Sequence, residues 1–152
     1  MYKLQSLTRG RRVGIDFGQV RIGIAVSDSD AILASPVKTL LNDETLVMML
    51  KQVLTEYDPI YVAIGNPIHL SGADSEKAIM VRSFALSMRD FYNGKIYLVD
   101  ERLSTNQSIS QLHEAGKGVK GSKSILDQMA AVNILNQALQ LEASEKGLGE
   151  SL

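Results

Sequence analysis

The sequence predicts an α/β fold in which helices flank a mixed five-stranded sheet, and two observations support this prediction. First, apolar runs over residues 13–17 and 22–26 flank a glycine-containing turn, which is typical of a buried β-hairpin. Second, the later apolar runs over residues 60–65 and 95–99 each follow a segment with helical spacing. Because a strand reached through a helix lies parallel to an earlier strand, these runs predict parallel strands beside a central hairpin.

The remaining elements follow from local signals. Residues 31–41 predict a third strand, and Pro36 favours an edge position because proline cannot donate to the hydrogen-bond ladder. Asn42-Asp43-Glu44 is typical of a helix start, and apolar residues at helical spacing continue to Tyr57. Helical spacing and turn signals predict further helices over residues 74–92, 104–114 and 124–142. We expect residues 1–11 and 143–152 to be flexible and the Gly/Lys-rich residues 115–123 to be mobile.

The composition is typical of a single globular domain and excludes several kinds of site. With 152 residues, the chain is long enough to bury a core as one domain over residues 1–152. It has no cysteine, which excludes disulfides, zinc-thiolate sites and a cysteine nucleophile. It has neither a membrane-length apolar run nor a signal-peptide core, so we expect a cytoplasmic protein with no membrane partner.

The net charge of −1 does not by itself indicate a nucleic-acid-binding protein, so any such binding must depend on local patches. Arg9, Arg11 and Arg12 form a small basic cluster near the start of the chain. Lys117, Lys120 and Lys123 form a second group with no acid among them, and this group can supply phosphate contacts.

Three acidic residues stand where the predicted fold brings elements together. Asp16 lies in the first strand of the hairpin, where an unpaired carboxylate is costly to bury. Glu101 follows the strand over residues 95–99, and Asp127 lies in the first turn of the last helix. Carboxylates that converge in this way repel one another unless divalent cations bind them. A site with two ions about 4 Å apart can activate water and stabilise the leaving oxygen in phosphodiester cleavage.

Each acid also has a simpler interpretation, and spacing alone does not choose between the two. Asp16 can accept backbone hydrogen bonds beside a turn. Asp127 completes a capping box with Ser124, in which the acid only binds the amide at the start of the helix. Glu101 can pair with a neighbouring cation on the surface, where such pairs contribute little stability. No role follows from the sequence for either histidine, His69 or His113.

Four ordered motifs give the chain a specific resemblance to a known family. They are Gly14-Ile-Asp-Phe-Gly18 with Arg21-Ile-Gly-Ile-Ala-Val-Ser-Asp28, Ile64-Gly-Asn-Pro67 with Ser71-Gly72, Val99-Asp-Glu-Arg-Leu-Ser-Thr105, and Lys123-Ser-Ile-Leu-Asp-Gln-Met-Ala-Ala131 with Ile134-Leu135. From about residue 12 to residue 139, the chain resembles the YqgF family of Holliday-junction-resolvase-like proteins, the pre-16S rRNA nucleases. It departs from the usual family pattern at Asn66-Pro67 and at Ser104-Thr105, and neither departure changes one of the three acids.

The resemblance implies an RNase H-like fold and a metal-dependent nuclease that hydrolyses phosphodiester bonds in 5′-end processing of pre-16S rRNA during ribosome biogenesis. By position, the catalytic and metal-binding acids of the family fall on Asp16, Glu101 and Asp127, and its motif arginines fall on Arg21 and Arg102. The implied cofactor is a divalent metal, magnesium or manganese.

Three other functions are compatible with parts of the sequence. A resolvase of four-way DNA junctions would have the same fold, and the sequence does not separate structured RNA from branched DNA as the partner. A kinase or ATPase of the actin superfamily is disfavoured because it needs two such domains. A non-catalytic RNA-binding assembly factor is disfavoured because clustered negative charge does not help to bind phosphate. We expect a monomer or a weak homodimer.

Overall fold

A computed structural model describes residues 9–67, 76–100, 122–144 and 147–152 of the chain. The strands in these residues are β1 (Arg12–Asp16), β2 (Arg21–Ser27), β3 (Ala34–Leu41), β4 (Tyr61–Asn66), β5 (Lys95–Asp100) and β6 (Glu150–Ser151). The helices are α1 (Leu46–Tyr57), α2 (Glu76–Ser87), which continues into a 3₁₀ turn over Met88–Asp90, and α3 (Ser122–Ala143). Within this part of the chain, no helix is both long enough and apolar enough to cross a bilayer.

The strands form one mixed sheet in the order β3-β2-β1-β4-β5-β6. β4 lies parallel to β1 and to β5, whereas the β1–β2, β2–β3 and β5–β6 pairs are antiparallel. The predicted α/β class, the central hairpin and the edge position of the strand that contains Pro36 are therefore confirmed.

The sheet has a sixth strand that the sequence did not predict. Glu150 and Ser151 lie in residues 143–152, which were expected to be flexible, and they pair with Leu98 and Tyr97 of β5. The amide of Leu152 also donates to the carbonyl of Ile96 at 2.9 Å. A strand of two exposed residues is too short to show an alternating pattern, so five strands were predicted instead of six.

The helix bounds differ from the predicted ones at two starts. α1 begins at Leu46 instead of at residues 42–44, because Asn42 closes the turn between β1 and β2. Its side-chain amide donates to the carbonyl of Gly18 at 2.8 Å, and its backbone amide donates to the carbonyl of Val20 at 2.9 Å. The last helix begins at Ser122, earlier than predicted.

The two faces of the sheet pack against different helices. Side chains alternate along a strand, so Val13 and Ile15 of β1 join the apolar core beneath α1 and α2. Gly14 and Asp16 face the other side, where Gly14 contacts Ala131 and Leu135 of α3. Glycines and alanines line the face of the sheet that packs against α3, so the gap between helix and sheet is narrow. These small residues therefore determine the position of α3 on the sheet.

A buried ion pair joins the start of β1 to the end of α3. The Arg12 side chain is 0% exposed and that of Glu142 is 15% exposed, and Nη2 of Arg12 lies 2.5 Å from Oε2 of Glu142. The Tyr61 hydroxyl donates to Oε1 of Glu142 at 3.0 Å, and burial raises the pKa of Tyr61. Arg12 is thus not available to a basic surface cluster, and Arg9 pairs with Asp30.

We expect Glu142→Ala to lower the free energy of unfolding by at least about 3 kcal/mol, because it leaves the buried Arg12 charge without its partner. Alanine favours helices at least as well as glutamate, so the loss would not come from helix propensity. Urea unfolding followed by circular dichroism measures the change.

The matched control is Arg82→Ala in α2, which breaks the ion pair with Glu150. The side chains of this pair are 44% and 45% exposed. We expect this variant to lose less than about 1 kcal/mol. Equal losses in the two variants would contradict a special role for the buried pair.

Candidate active site

The parallel strands β1, β4 and β5 have their carboxyl ends side by side at one edge of the sheet. Ile15 of β1 pairs with Ile64 of β4, and Asn66 of β4 pairs with Asp100 of β5. Asp16 is the last residue of β1, so it lies at this edge and faces α3. Ligands of α/β sheets bind outside the carboxyl ends of the parallel strands.

Asp127 of α3 packs on β2, at the position that pairs with Asp16 of β1. Gly23 is the register partner of Asp16, and a Cβ atom added to Gly23 would lie 2.0 Å from the carbonyl oxygen of Asp127. The same atom would lie 3.1 Å from the Cβ atom of Asp127. Register partners in antiparallel strands have Cα atoms about 5 Å apart. The contact therefore brings the Asp127 backbone to the strand position next to Asp16.

The carboxylate of Asp127 accepts a hydrogen bond from Arg21, the first residue of β2. Nε of Arg21 lies 3.0 Å from Oδ2 of Asp127, and the two side chains are 31% and 21% exposed. The capping-box interpretation of Asp127 is wrong, because α3 begins at Ser122 and Ser124 lies inside the helix. The carbonyl of Ser124 instead accepts a hydrogen bond from the Thr39 hydroxyl at 3.0 Å.

Of the other predicted site residues, the structure describes only Lys123. Lys123 lies in the first turn of α3 and is exposed. Glu101, Arg102, Lys117 and Lys120 lie outside the described residues, as do His69 and His113. Among the described residues, no group of three or more His, Cys, Asp or Glu side chains is arranged to hold a metal ion. The described carboxylates at this edge of α3 and β1 are those of Asp16 and Asp127.

Asp28, which belongs to the first motif, shapes the loop between β2 and β3. Its carboxylate accepts hydrogen bonds from the backbone amides of Ile32 and Leu33, both at 2.8 Å, and of Asp30 at 3.0 Å. These bonds, that from Leu33 foremost, lower the pKa of Asp28. This role of Asp28 was not predicted from the sequence, although an aspartate followed by short polar residues is a known signal for such a turn.

Thr39 on the edge strand is a further residue that the sequence did not single out. Its hydroxyl contacts Ser124, and the side-chain amide of Gln128 donates to it at 3.1 Å. Both contacts hold the first turns of α3 on β3, which positions the helix that carries Asp127. No local signal could have found them, because the partners are separated by 85 and 89 residues.

A cleft of about 1000 Å³ lies at the opposite end of the parallel strands, and its lining includes Lys51, Tyr61, Phe91, Lys95 and Leu148. Its walls are mostly apolar, and its buried carboxylate, Glu142, is paired with Arg12. The acidic edge near Asp16 therefore remains the better candidate for hydrolytic chemistry.

Comparisons with known proteins show which family the sequence matches. Residues 10–141 match the RuvX family model, which is described as Holliday junction resolvase. A Streptomyces avermitilis protein named "Putative pre-16S rRNA nuclease" is 40% identical over 150 residues, which cover 96% of each chain. A Cutibacterium acnes protein of the same name is 39% identical over 132 residues, 86% of this chain and 82% of that one.

Among solved structures, the chain is similar to T. thermophilus RuvC in complex with a Holliday junction substrate. The TM-score is 0.60 at 15% sequence identity, and the match covers 93% of this chain and 99% of that one. This likeness supports the predicted RNase H-like fold.

We expect Gly23→Ala to lower the free energy of unfolding by about 3 kcal/mol or more, because the new methyl group would meet the backbone of α3, which cannot rotate away. Denaturant unfolding measures the loss. Gly147→Ala is the control, since a Cβ atom there has nothing within 4 Å among the described residues. The control should stay within about 0.5 kcal/mol of the wild type. A fully stable Gly23→Ala variant would show that α3 does not rest on β2 in this way.

Proposed function

The chain belongs to the RuvX family of Holliday junction resolvases, and from this membership we propose that it is a metal-dependent nuclease that processes the 5′ end of pre-16S rRNA. One observation carries the proposal. Asp127 of α3 packs over Gly23, the register partner of Asp16, at the carboxyl edge of the sheet. Two carboxylates on the face of the sheet beneath α3 favour the binding of a cation and disfavour the binding of phosphate alone.

The donor atoms near this edge fit magnesium or manganese. Both metals prefer carboxylate and water oxygens, and the chain supplies Asp16 and Asp127 there. We propose Glu101 as the third ligand, because it directly follows Asp100, whose strand ends level with β1. When bound, the metal supplies an activated water and stabilises the leaving oxygen.

The residues around the acids would orient the substrate. Arg21 donates to Asp127 and so stands at the proposed metal site, where its terminal nitrogens can reach a phosphate. Lys123 is exposed one turn before Asp127 on α3. Arg102, Lys117 and Lys120 lie in the connection between β5 and α3, and we propose that they contact the sugar–phosphate backbone. The proposed substrate is structured RNA in the cytoplasm.

Cleavage of four-way DNA junctions is the second candidate, because the matched family is described as Holliday junction resolvase. The same carboxylates would serve either backbone, since both reactions hydrolyse a phosphodiester. The relatives that are 40% and 39% identical are named for rRNA, and this favours the RNA substrate.

We expect purified protein with Mg²⁺ or Mn²⁺ to cut precursor 16S rRNA near its mature 5′ end and to leave a four-way DNA junction largely intact. Asp16→Asn and Asp127→Asn should each lower the cleavage rate at least about 100-fold, a loss of about 2.7 kcal/mol in transition-state stabilisation. Without metal, Asp16→Asn should melt at or above the wild-type temperature, because it removes one of two neighbouring negative charges.

The control for cleavage is Asp43→Asn, which removes an exposed acid whose carboxylate accepts hydrogen bonds from Thr45 before α1. It should cut as well as the wild type. Cleavage by the wild type that persists in EDTA, or is unaffected by both active-site variants, would contradict the proposed nuclease. Preferential cutting of the junction would favour the second candidate.

We expect the triple variant Lys117→Gln, Lys120→Gln and Lys123→Gln to bind RNA more weakly and with a flatter salt dependence. The log–log slope should fall by roughly 0.7 to 0.9 for each phosphate that the variant no longer neutralises. Fluorescence anisotropy at several salt concentrations measures both quantities. The Lys51→Gln, Lys95→Gln variant changes lysines at the opposite end of the sheet and should keep the wild-type slope. An unchanged slope in the triple variant would mean that these lysines are only a solvated surface.

A further inference from the structure

We propose that Arg21 and the divalent metal compete for the carboxylate of Asp127, so that metal binding releases Arg21 to hold a phosphate of the substrate. This inference rests on the proposed nuclease function and adds a positioning role for a residue outside the acidic set. It follows from the geometry of one hydrogen bond, from the charges around it and from the location of Arg21 in β2.

The hydrogen bond between Arg21 and Asp127 uses only part of each group. Nε of Arg21 donates to Oδ2 of Asp127 at 3.0 Å. Within the described part of the chain, no further hydrogen bond is made by either terminal nitrogen of Arg21 or by Oδ1 of Asp127. A pair built only for stability would normally use the two-pronged geometry that arginine and carboxylate allow. The single contact leaves one carboxylate oxygen for a cation and two nitrogens for an anion.

The location of Arg21 keeps this pair next to Asp16. Arg21 lies two residues before Gly23 in β2, so both face α3. Gly23 is the register partner of Asp16 and lies against Asp127. The positive guanidinium therefore offsets part of the negative charge of Asp127, on the strand whose Gly23 pairs with Asp16.

A divalent cation on Asp127 would change this balance. Two positive groups on one carboxylate repel each other, so the metal and the guanidinium bind Asp127 less well together than separately. Such coupling is reciprocal. Arg21 lowers the affinity of Asp127 for the metal, and the metal weakens the Arg21–Asp127 contact by the same free energy. The side chain of Arg21 is partly exposed and long enough to turn toward a phosphate that enters the site.

The test measures Mn²⁺ affinity without nucleic acid, by calorimetry or by the electron paramagnetic resonance of free Mn²⁺. We expect Arg21→Met to bind Mn²⁺ about 5- to 10-fold more tightly than the wild type, because it removes the competing charge and keeps the length of the side chain. Arg21→Lys should retain most of the wild-type affinity, since it keeps the charge. In an Asp127→Asn background, Arg21→Met should change Mn²⁺ affinity less than 2-fold.

A second readout uses the thermal midpoint with and without Mn²⁺. Without metal, Arg21→Met should melt lower than the wild type, because Asp127 loses its partner. A saturating concentration of Mn²⁺ should then raise its melting temperature by more than it raises that of the wild type. In Mn²⁺, Arg21→Met should also bind RNA with a log–log salt slope smaller by roughly one. If Arg21→Met fails to fold, the comparison of Arg21→Lys with Arg21→Gln replaces it.

The outcomes separate this inference from the function on which it rests. Unchanged or weaker Mn²⁺ binding by Arg21→Met, in a wild type that binds Mn²⁺ and cleaves RNA, overturns the competition and leaves the nuclease in place. Weaker Mn²⁺ binding by both Arg21→Met and Arg21→Lys would show that the arginine only orients the side chain of Asp127. A wild type that does not bind Mn²⁺ overturns both proposals.

Discussion

The close approach of α3 to the central hairpin is the constraint on which the rest of this face depends. A Cβ atom at Gly14 would lie 2.7 Å from that of Leu135, and one at Gly23 would lie 2.0 Å from the Asp127 carbonyl. Only glycine permits this separation, because any larger side chain would lift the helix from the sheet. Alanines complete the contact, with Ala25 of β2 packing against Ala131 of α3. The carboxylate of Asp127 reaches the strand ends because the helix that carries it touches the sheet.

Polar contacts at both ends of α3 keep the helix in one register on the sheet. Near its start, Thr39 of the edge strand binds Ser124 and Gln128. Near its end, Glu142 is held by Arg12 and Tyr61. A helix fixed at both ends and pressed on glycines between them cannot slide by a turn without breaking buried polar contacts. This rigidity suits the catalytic role proposed for Asp127, because a catalytic group must keep its position relative to its neighbours to within a fraction of an ångström.

Charged residues of this nearly neutral chain serve different purposes at the two edges of the sheet. At the amino edge, the Arg12–Glu142 pair is buried and forms part of the core. At the carboxyl edge, the Arg21–Asp127 pair is partly open to water and is joined by one hydrogen bond. A buried and fully bonded pair is costly to break, whereas a half-exposed pair can exchange partners at little cost. The Arg21–Asp127 pair is therefore the one in which the proposed metal and phosphate can replace a protein contact.

Local sequence was sufficient to predict the class of the fold and the family. The alternating and all-apolar runs predicted the hairpin and parallel strands, and Pro36 predicted an edge strand, because burial and hydrogen bonding of a strand depend on its own residues. The resemblance of four short motifs to those of a known family predicted the family that the comparison supports. The same motifs selected Asp16, Glu101 and Asp127 as the acids of the site, and these assignments stay predictions.

Only the tertiary structure decided which charges meet. Arg21 and Asp127 are 106 residues apart and Arg12 and Glu142 are 130 apart, so no local pattern joins either pair. The sequence grouped Arg12 in a small basic cluster and offered a capping box for Asp127, whereas the structure pairs Arg12 with Glu142 and Asp127 with Arg21. The sixth strand likewise exists because β5 offers an open edge to it, since its own two residues have little tendency to form a strand. These contacts depend on where a whole helix comes to rest on a sheet, and that position is set by packing summed over the entire face.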